Sequence, residues 1–381
     1  MMFRDQYKRL GDYIHQVDVR NRDLAVHDLK GLSMTKEFRE STSNIVGVDL
    51  SKYKVVNPGV FAFDTMSVIR VHKVPIILNT GNVPVIISPA YITFVSNDEN
   101  VLDSNYLRMW VRRQEFDRYA DFKSDAAVRG GYGWDELCDT LIRIPTIEEQ
   151  RRIVAEYQAV EERIATNNKL IETLTSTIQS IFFDSIVSKS SNENLPNGWR
   201  RAGLKDIALF MNGAACQKFP SEKGAKSLPV IKIKEIGRGM FDENSDRVSL
   251  DIPTKYLIHD GDTLFSWSAS LIVDFWCGGT GALNQHIFKV TSDKYPQWFY
   301  HLWIQQHIDE WNNFISAKAT SMGHIKQEDL ESAAVIIPDD NTLCTLDKQL
   351  SPITDYLITI KREYIRLQEL RSLLLSRLSN I

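Results

Sequence analysis

The feature that most constrains this chain is an internal repeat with a period near 193 residues. Pro145 follows the run at 141–144, and Pro338 follows a similar run at 334–337. Other pairs keep the same offset: Gly130 with Gly323, Asp135 with Glu328, Leu137 with Leu330, Tyr106 with Phe299, and Trp110 with Trp303. Upstream the offset drifts to 195 and then to about 202, as loop insertions on a shared scaffold produce. The chain is therefore predicted to hold two copies of one structural unit.

Each copy ends in a segment with a heptad pattern. After Pro145, residues at alternating spacings of four and three are apolar apart from Asn167. The same series follows Pro338 when it is shifted by 193, with Arg371 as its polar member. A period of 3.5 over four heptads predicts a coiled-coil seam. The order of the repeat predicts that the two helices, each about 60 Å long, pair antiparallel.

Four positions bear on this prediction. Thr146, followed by acidic residues, predicts the start of the first helix. Pro352 predicts a kink in the second helix or a later start. Asn167 and Arg371 either fix the register of the pair or are polar residues tolerated at its edge.

The rest of each copy mixes short β-like runs with one or two helices, so the fold class is predicted as α+β. The polar, Pro- and Gly-bearing stretch at 188–199 predicts a linker. We expect a globular domain at 1–145, a long helix at 146–190, a linker at 191–199, a second globular domain at 200–338, and a second long helix at 339–381.

Composition excludes several classes of protein. The chain is 43% hydrophobic and 25% charged with a formal charge of −4, so it is neither disordered nor globally cationic. Four distant cysteines include no Cys-x-x-Cys pair, which argues against zinc sites and a disulfide framework. The absence of a long apolar run and of a signal-peptide core predicts a cytoplasmic protein without membrane contact. The absence of a phosphate loop, of paired metal ligands and of a nucleophile elbow predicts no enzyme activity, no metal and no cofactor.

A local basic excess remains. Residues 200–238 hold nine basic and three acidic side chains, which predicts either a phosphate-binding patch or a solvated charged face. Arg108, Arg112 and Arg113 lie within one helical turn. They are expected to contact phosphate or to form the solvated face of an amphipathic helix.

Three loops carry glycines with donor side chains, a combination suited to close approach to phosphates and base edges. They span 30–39, 124–134 and 318–326, and the last two occupy the same place in the repeat. The candidate DNA-binding residues are Lys30, Ser33, Lys36, Arg39, Arg129, Tyr132, Lys218, Lys234, Arg238, Trp267, Lys318, Ser321, His324 and Lys326. The alternative is that these are surface loops before helix starts. His286 is expected to pack or hydrogen-bond at a strand edge.

Two units carried on paired helices suit a reader of two sites on a periodic polymer such as duplex DNA. The same geometry suits a coiled-coil scaffold that binds only protein partners. A hydrolase using scattered His and Asp groups is a third hypothesis, which the duplicated plan disfavours.

Four segments resemble the specificity subunits of type I restriction–modification systems. They are Leu-Pro-Asn-Gly-Trp at 195–199, Gly-Asp-Thr-Leu-Phe-Ser-Trp-Ser-Ala-Ser at 261–270, Ala-Leu-Asn-Gln-His-Ile-Phe-Lys-Val at 282–290, and Ile-Pro followed by Glu-Glu-Gln-Arg-Arg-Ile at 144–153. The first copy lacks the Leu-Pro-x-Gly-Trp opening, and the second helix lacks the Glu-Glu-Gln start.

This resemblance implies that 1–145 and 200–338 are target recognition domains and that the helices are spacers. It implies a non-catalytic subunit that binds a split, asymmetric target in double-stranded DNA. It also implies two methyltransferase subunits as partners, which bind S-adenosylmethionine and methylate adenine at N6. Translocating restriction subunits are implied to join through that complex.

Overall fold

The computed structural model describes residues 7–42, 47–66, 72–125, 132–190, 195–222, 224–268, 270–317 and 327–378. By its contacts the chain divides into unit 1, residues 1–162 with 370–381, and unit 2, residues 163–369. Each unit is described by itself. The division falls within both long helices, and the predicted domain boundaries stay a prediction. Among the described residues, no helix is long and apolar enough to span a membrane.

Unit 1 begins with short strands and continues with helices. The strands are β1 Tyr7–Arg9, β2 Ile14–Gln16, β3 Lys30–Leu32, β4 Phe38–Glu40, β5 Lys54–Val56, β6 Phe61–Phe63, β7 Ile76–Leu78, β8 Val85–Ile87, β9 Ile92–Ser96 and β10 Leu141–Arg143. The helices are α1 Ser104–Val111, α2 Gln114–Asp125, α3 Trp134–Cys138 and α4 Ile147–Phe182, of which α4 continues into unit 2.

A four-stranded antiparallel sheet of order β2-β9-β6-β7 forms the centre of unit 1. Phe61 lies opposite Phe94 in the register, and their rings stack with centroids 4.7 Å apart. Helices α1 and α2 add aromatic residues such as Trp110 and Phe116 to the same core. The smaller pairs β5-β8 and β3-β4 are joined by a parallel bridge between Leu29 and Ile86.

Unit 2 contains a second set of short strands. They are β11 Arg200–Gly203, β12 Leu209–Asn212, β13 Ser227–Ile231, β14 Arg247–Ser249, β15 Leu257–Ile258, β16 Thr263–Ser266, β17 Ile272–Phe275, β18 Gly281–Leu283, β19 Ile287–Thr291 and β20 Ala334–Ile337. The helices are α5 Leu204–Ile207, α6 Ile233–Arg238, α7 Gln297–Ala317, α8 Gln327–Ser332 and α9 Asp340–Arg377, of which α9 ends in unit 1.

The strand pairing of unit 2 repeats that of unit 1. The order β12-β19-β16-β17 corresponds to β2-β9-β6-β7, and β11-β20 corresponds to β1-β10. The second sheet, β14-β13-β18-β15, contains one parallel pair, β13-β18, at the place of the Leu29–Ile86 bridge. Phe265 again lies opposite Phe288 with stacked rings, here 6.2 Å apart. The predicted α+β class and the internal repeat are both confirmed.

The repeat offset of 193 residues relates the starts of equivalent helices in the two units. Adding 193 takes the start of α1 at Ser104 to the start of α7 at Gln297. The same shift takes the start of α4 at Ile147 to the start of α9 at Asp340. Helix α9 continues through Pro352, so the predicted later start is wrong.

Within unit 2, residues 163–182 of α4 pair antiparallel with α9. Arg163 forms a two-pronged ion pair with Glu363, with Nε–Oε1 and Nη2–Oε2 distances of 2.8 and 3.0 Å. Further along, Ile178 and Leu357 line the same cavity. Residue numbers therefore increase along α4 in the direction in which they decrease along α9, as in an antiparallel pair. Asn167 is 1% exposed at this seam. Its burial agrees with a register-fixing role, which stays a prediction, as does the role of half-buried Arg371.

Within unit 1, the first turns of α4 pack on the sheet domain and on the end of α9. Ile153 and Tyr157 share a core cluster with Leu378. Gln150 is fully buried, and its side-chain amide accepts from the N–H of Asp103 and donates to the carbonyls of Val101 and Pro145. Because buried amides need such partners, Gln150 fixes the helix start to the loop before α1.

We predict that Leu350→Ala lowers the free energy of unfolding by about 2–5 kcal/mol, since it leaves a cavity in a packed core. Leu350 is 0% exposed on α9 in the core of unit 2. Leu373→Ala on the same helix is the control, because that side chain is 61% exposed and its loss should cost within about 0.5 kcal/mol. Urea denaturation of both variants measures the difference, and equal losses would contradict the assigned seam.

Candidate nucleic-acid interface

A polar groove of about 750 Å³ opens on the surface of unit 2. Its lining comes from the turn between β18 and β19, from the β13–β14 pair and from the segment after β12. The lining residues are Cys216, Gln217, Pro220, Ser221, Val230, Lys232, Asp246, Arg247, Val248, Asn284, Gln285 and His286. Most of the side chains at its rim can donate or accept hydrogen bonds.

Gly213 makes this groove possible. A Cβ at this position would lie 2.3 Å from the carbonyl oxygens of Leu283 and Asn284, closer than any side chain allows. The bare backbone instead crosses the β18–β19 turn and forms a parallel bridge between Ala214 and Asn284. The crossing places the 3-10 turn Cys216–Lys218 at the groove, and with it the exposed Gln217.

The chemistry of the groove suits an edge that offers both donors and acceptors. Gln217, Asn284 and Gln285 are amides, which carry both groups on one planar side chain. Lys232 forms an ion pair with Asp246 on the opposite strand. Arg247 donates from Nε and Nη2 to Ser227, at 3.1 and 2.7 Å, which holds its guanidinium at the rim.

The family-like segments meet beside this groove. The Trp267 indole donates to the side-chain oxygen of Asn212 at 3.1 Å, and its ring lies 5.6 Å from the ring of His286. His286 also contacts Gln285 at 3.2 Å. The prediction that His286 packs at a strand edge is confirmed. Lys289 binds Asp262 at 2.6 Å, which links the 261–270 and 282–290 segments within the sheet.

The basic run at 200–238 does not form one patch. Arg200 and Lys205 lie beside β20 and α8, where they contact Tyr295 and Glu331. Lys218 is exposed next to the groove, and Lys234 is exposed on α6. Arg238, also on α6, is paired with Asp242 at 2.5 Å. Acidic residues from outside the run therefore neutralise part of its charge.

In unit 1, the predicted contact loop at 30–39 forms the β3–β4 hairpin. Lys30 pairs with Asp28 and Glu40, and hydrogen bonding to Glu40 is the main cause of its raised pKa. Ser33 closes the turn by accepting from the N–H of Glu37 at 3.1 Å. Arg39 is exposed on β4 and lies across Gly31, where a Cβ would come within 3.1 Å of its guanidinium carbon. Of these residues Arg39 is the one best placed to meet a ligand.

Lys36 was expected to contact DNA, but the structure places it in the interior of unit 1. It is 5% exposed and donates to the carbonyl of Val111 and to Asp117. Burial lowers its pKa to about 8, against the attraction of Asp117. A buried, paired ammonium is not presented to a ligand, so we leave Lys36 out of the interface.

Tyr132 is likewise a core residue. It is fully buried, its hydroxyl contacts that of Thr140 at 2.5 Å, and burial raises its pKa. The remaining candidates lie outside the described residues: Arg129, Lys318, Ser321, His324 and Lys326. Most of the two loops that share a place in the repeat, 124–134 and 318–326, lies there too.

The arginines of α1 are neither phosphate contacts nor a solvated face. Arg112 binds Glu37 at 2.7 Å, and Arg108 binds Glu161 at 3.2 Å. Arg113 is buried with its guanidinium 4.3 Å from the centre of the Trp110 ring. The helical spacing of these arginines could not exclude a solvated face, because the acidic residues that bind Arg108 and Arg112 come from distant segments of the chain.

Sequence reasoning missed Gln217, Ser221, Arg247 and the amides of Asn284 and Gln285 as groove residues. Asn284 and Gln285 were visible beside His286 within a segment that resembled the family. Nothing local marked Gln217 or Arg247, because the groove forms only when β13–β14 and the turn at Gly213 fold against β18. Among the described residues no cluster of His, Cys, Asp and Glu could hold a metal ion.

We predict that Lys36→Met lowers the free energy of unfolding by about 3 kcal/mol, since it leaves the buried Asp117 without its cation. Arg39→Met is the matched control on the same hairpin, where loss of an exposed charge should change stability by less than about 0.5 kcal/mol. Denaturant titration compares the two. Equal effects would show that Lys36 is as exposed as Arg39.

The chain was compared with known proteins. No family model matches the chain. The chain is 21% identical over 276 residues to the type I restriction enzyme MjaIX specificity subunit of Methanocaldococcus jannaschii. The match covers 66% of this chain and 63% of that protein, so it spans less than two thirds of the relative's length.

The comparison with solved structures gives two further similarities. The S subunit of a type I restriction–modification system from M. genitalium superimposes with a TM-score of 0.57 at 13% identity, over 98% of this chain and 95% of that one. The HsdS subunit from Thermoanaerobacter tengcongensis has a TM-score of 0.35 at 17% identity, over 98% and 95%. The sequence relative confirms the predicted resemblance to specificity subunits, and the M. genitalium structure shows the shared fold.

Proposed function

We propose that this chain is the DNA-specificity subunit of a type I restriction–modification complex and reads a bipartite, asymmetric target in double-stranded DNA. One observation carries the proposal: two units of the same strand order are each followed by a long helix of the same heptad pattern. A protein that reads two sites on DNA needs two reading domains and a spacer between them. Each copy of the repeat in this chain supplies one domain and one long helix. The chain itself catalyses nothing.

The groove of unit 2 is the proposed reader of one half-site. Asparagine and glutamine amides can pair with both the N6 donor and the N7 acceptor of adenine in the major groove. Gln217 and Asn284 both line the groove, so their amides are available to base edges that enter it. Lys218 beside the groove and Arg247 in it supply positive charge for the phosphate backbone, whereas the charge of Lys232 is balanced by Asp246.

The equivalent place in unit 1 is the proposed reader of the other half-site. The turn before β9 carries Tyr91 where unit 2 has His286. The pKa of Tyr91 is raised chiefly by burial and then by the charge of Asp64, while the charge of Arg39 opposes this rise. Arg39, exposed on β4 of the same unit, is proposed to supply a positive charge to this reader. The different side chains of the two units suit two different half-site sequences.

The long helices are proposed to fix the gap between half-sites and to dock two methyltransferase subunits. Apolar side chains on the outer face of α9 support docking: Tyr356 is exposed in unit 2, and Leu370 and Leu373 are exposed in unit 1. Such residues fit a protein interface better than a solvated helix face. The methyl donor S-adenosylmethionine is assigned to those partners, and the restriction subunits are assigned to the complex they form.

We predict that co-expression with the methyltransferase subunit of the same system yields N6-methylated adenines in a single bipartite motif with a fixed gap. Sequencing that detects modified bases in the host genome measures the motif. A stable complex that methylates nothing would favour a protein-binding scaffold. No complex would contradict the docking role.

The double variant Gln217→Ala, Asn284→Ala is the internal control of this experiment. Each lost base contact should reduce discrimination by about 1–3 kcal/mol at one position of a single half-site. The other half-site and the gap should stay as in the wild type. This result would also show which half-site unit 2 reads.

We predict that inserting seven residues into one long helix changes the preferred gap, because a heptad adds about 10 Å to a helix without rotating its seam. The insertion belongs between Ile171 and Ile178 in α4, and a seven-residue insertion at the exposed turn near Gly224 is the length-matched control. Mapping methylated motifs gives the gap directly. An unchanged gap in the helix variant would exclude the spacer role.

A further inference from the structure

Unit 1 contains an ionic bridge that links the β3–β4 hairpin to the long helix α4. It begins at Glu37 in the hairpin turn, which accepts from Arg112 at 2.7 Å and lies 4.0 Å from Arg108. Arg108 then binds Glu161 of α4 at 3.2 Å. The Arg108, Arg112 and Glu161 side chains are 14%, 12% and 22% exposed, so the part of the bridge next to α4 is largely shielded from solvent, whereas Glu37 at its other end is 53% exposed.

A second anchor holds the same turn. Lys36 adopts a left-handed backbone with φ of 60°, which directs its side chain inward to Asp117 of α2. Asp117 also accepts from the N–H of Val74 at 3.0 Å, so its position is fixed by the segment just before β7. A residue other than glycine keeps this conformation only where the surroundings impose it. The hairpin turn is therefore held at two adjacent residues, by two different helices.

Unit 2 lacks this bridge at the equivalent positions. The repeat offset of 193 places His301 at the position of Arg108, Gln305 at that of Arg112, and Thr354 at that of Glu161. These three uncharged or weakly basic residues line a cavity of about 130 Å³. The scaffold thus folds in one copy with an ion pair between α1 and α4. In the other copy it folds with a small cavity lined by residues of α4, β17, α7 and α9.

We propose that Arg108 and Glu161 are positioning residues, which set the orientation of the β3–β4 hairpin on α4 and thereby the reading of the first half-site. The proposal rests on the proposed function, because Arg39 on that hairpin is the exposed group assigned to DNA. Partly buried ion pairs add little net stability over apolar contacts, but they demand one geometry. Arg108 joins Glu37 and Glu161 through a single guanidinium, so the turn and the helix share one fixed group.

The test introduces into unit 1 the residues that unit 2 has at the equivalent positions. The variant is Arg108→His, Glu161→Thr, which copies His301 and Thr354 of unit 2. It is expressed with its methyltransferase partner, and methylated motifs are mapped across the genome. We expect the variant to accept altered sequences at the first half-site. The ratio of methylation at the wild-type motif to methylation at motifs changed in that half-site should fall about tenfold or more. The second half-site and the gap stay unchanged.

The conservative variant Arg108→Lys keeps a cation between Glu37 and Glu161. It should keep the wild-type first half-site at least in part, whereas Arg108→Glu should not. Thermal unfolding of each complex provides the stability readout. A merely structural bridge would lower the unfolding temperature and reduce methylation of both half-sites together.

Two outcomes overturn the proposal. An unchanged motif at wild-type methylation levels in the His/Thr variant would show that the bridge does not position the hairpin. Equal loss of both half-sites, in Arg108→Lys as well as in Arg108→Glu, would show a role in folding alone. Failure of the proposed function is seen separately, because the wild-type complex would then give no bipartite motif at all.

Discussion

The structure depends on the burial of an apolar seam repeated every 3.5 residues along two long helices. Each buried leucine or isoleucine of this seam removes enough apolar surface from water to contribute roughly 1.5–3 kcal/mol. Neither helix has a uniform apolar surface, so each is stable only where its stripe meets a partner. In unit 2, α4 and α9 cover each other, and Leu350 and Leu357 also belong to the core under the sheet. The seam thus ties a helix pair to a domain core.

A shared scaffold carries different polar surfaces in the two units. The central sheets agree in strand order and in a stacked phenylalanine pair at the middle of the register. Around that common core, unit 1 places charged residues inside, such as Lys36 and Arg108, and unit 2 places amides in an open groove. Apolar packing defines the frame, while a few polar side chains give each unit its own chemistry.

The contrast between Lys36 and Arg39 shows what local sequence reasoning can resolve. Both are basic residues of one glycine-bearing hairpin, and composition treats them alike. The backbone at Lys36 turns its side chain towards Asp117, 81 residues further along the chain. Arg39 lies on the next strand with its guanidinium over Gly31. Acidic residues from distant segments bind Lys36 and two of the arginines of α1 and keep them away from the surface. No local sequence pattern could identify these acidic partners.

Sequence alone determined the duplication, the α+β class, the start of each long helix and the seam that pairs them. These features follow from periodic apolar patterns and from an offset kept over the chain, both of which are local or strictly repeated. Tertiary structure alone decided which polar residues reach the surface. Gln217 and Arg247 line one groove with Asn284 because Gly213 lets one backbone cross another, and Arg108 meets Glu161 because two helices pack. Such contacts depend on long-range packing, which no single stretch of sequence encodes.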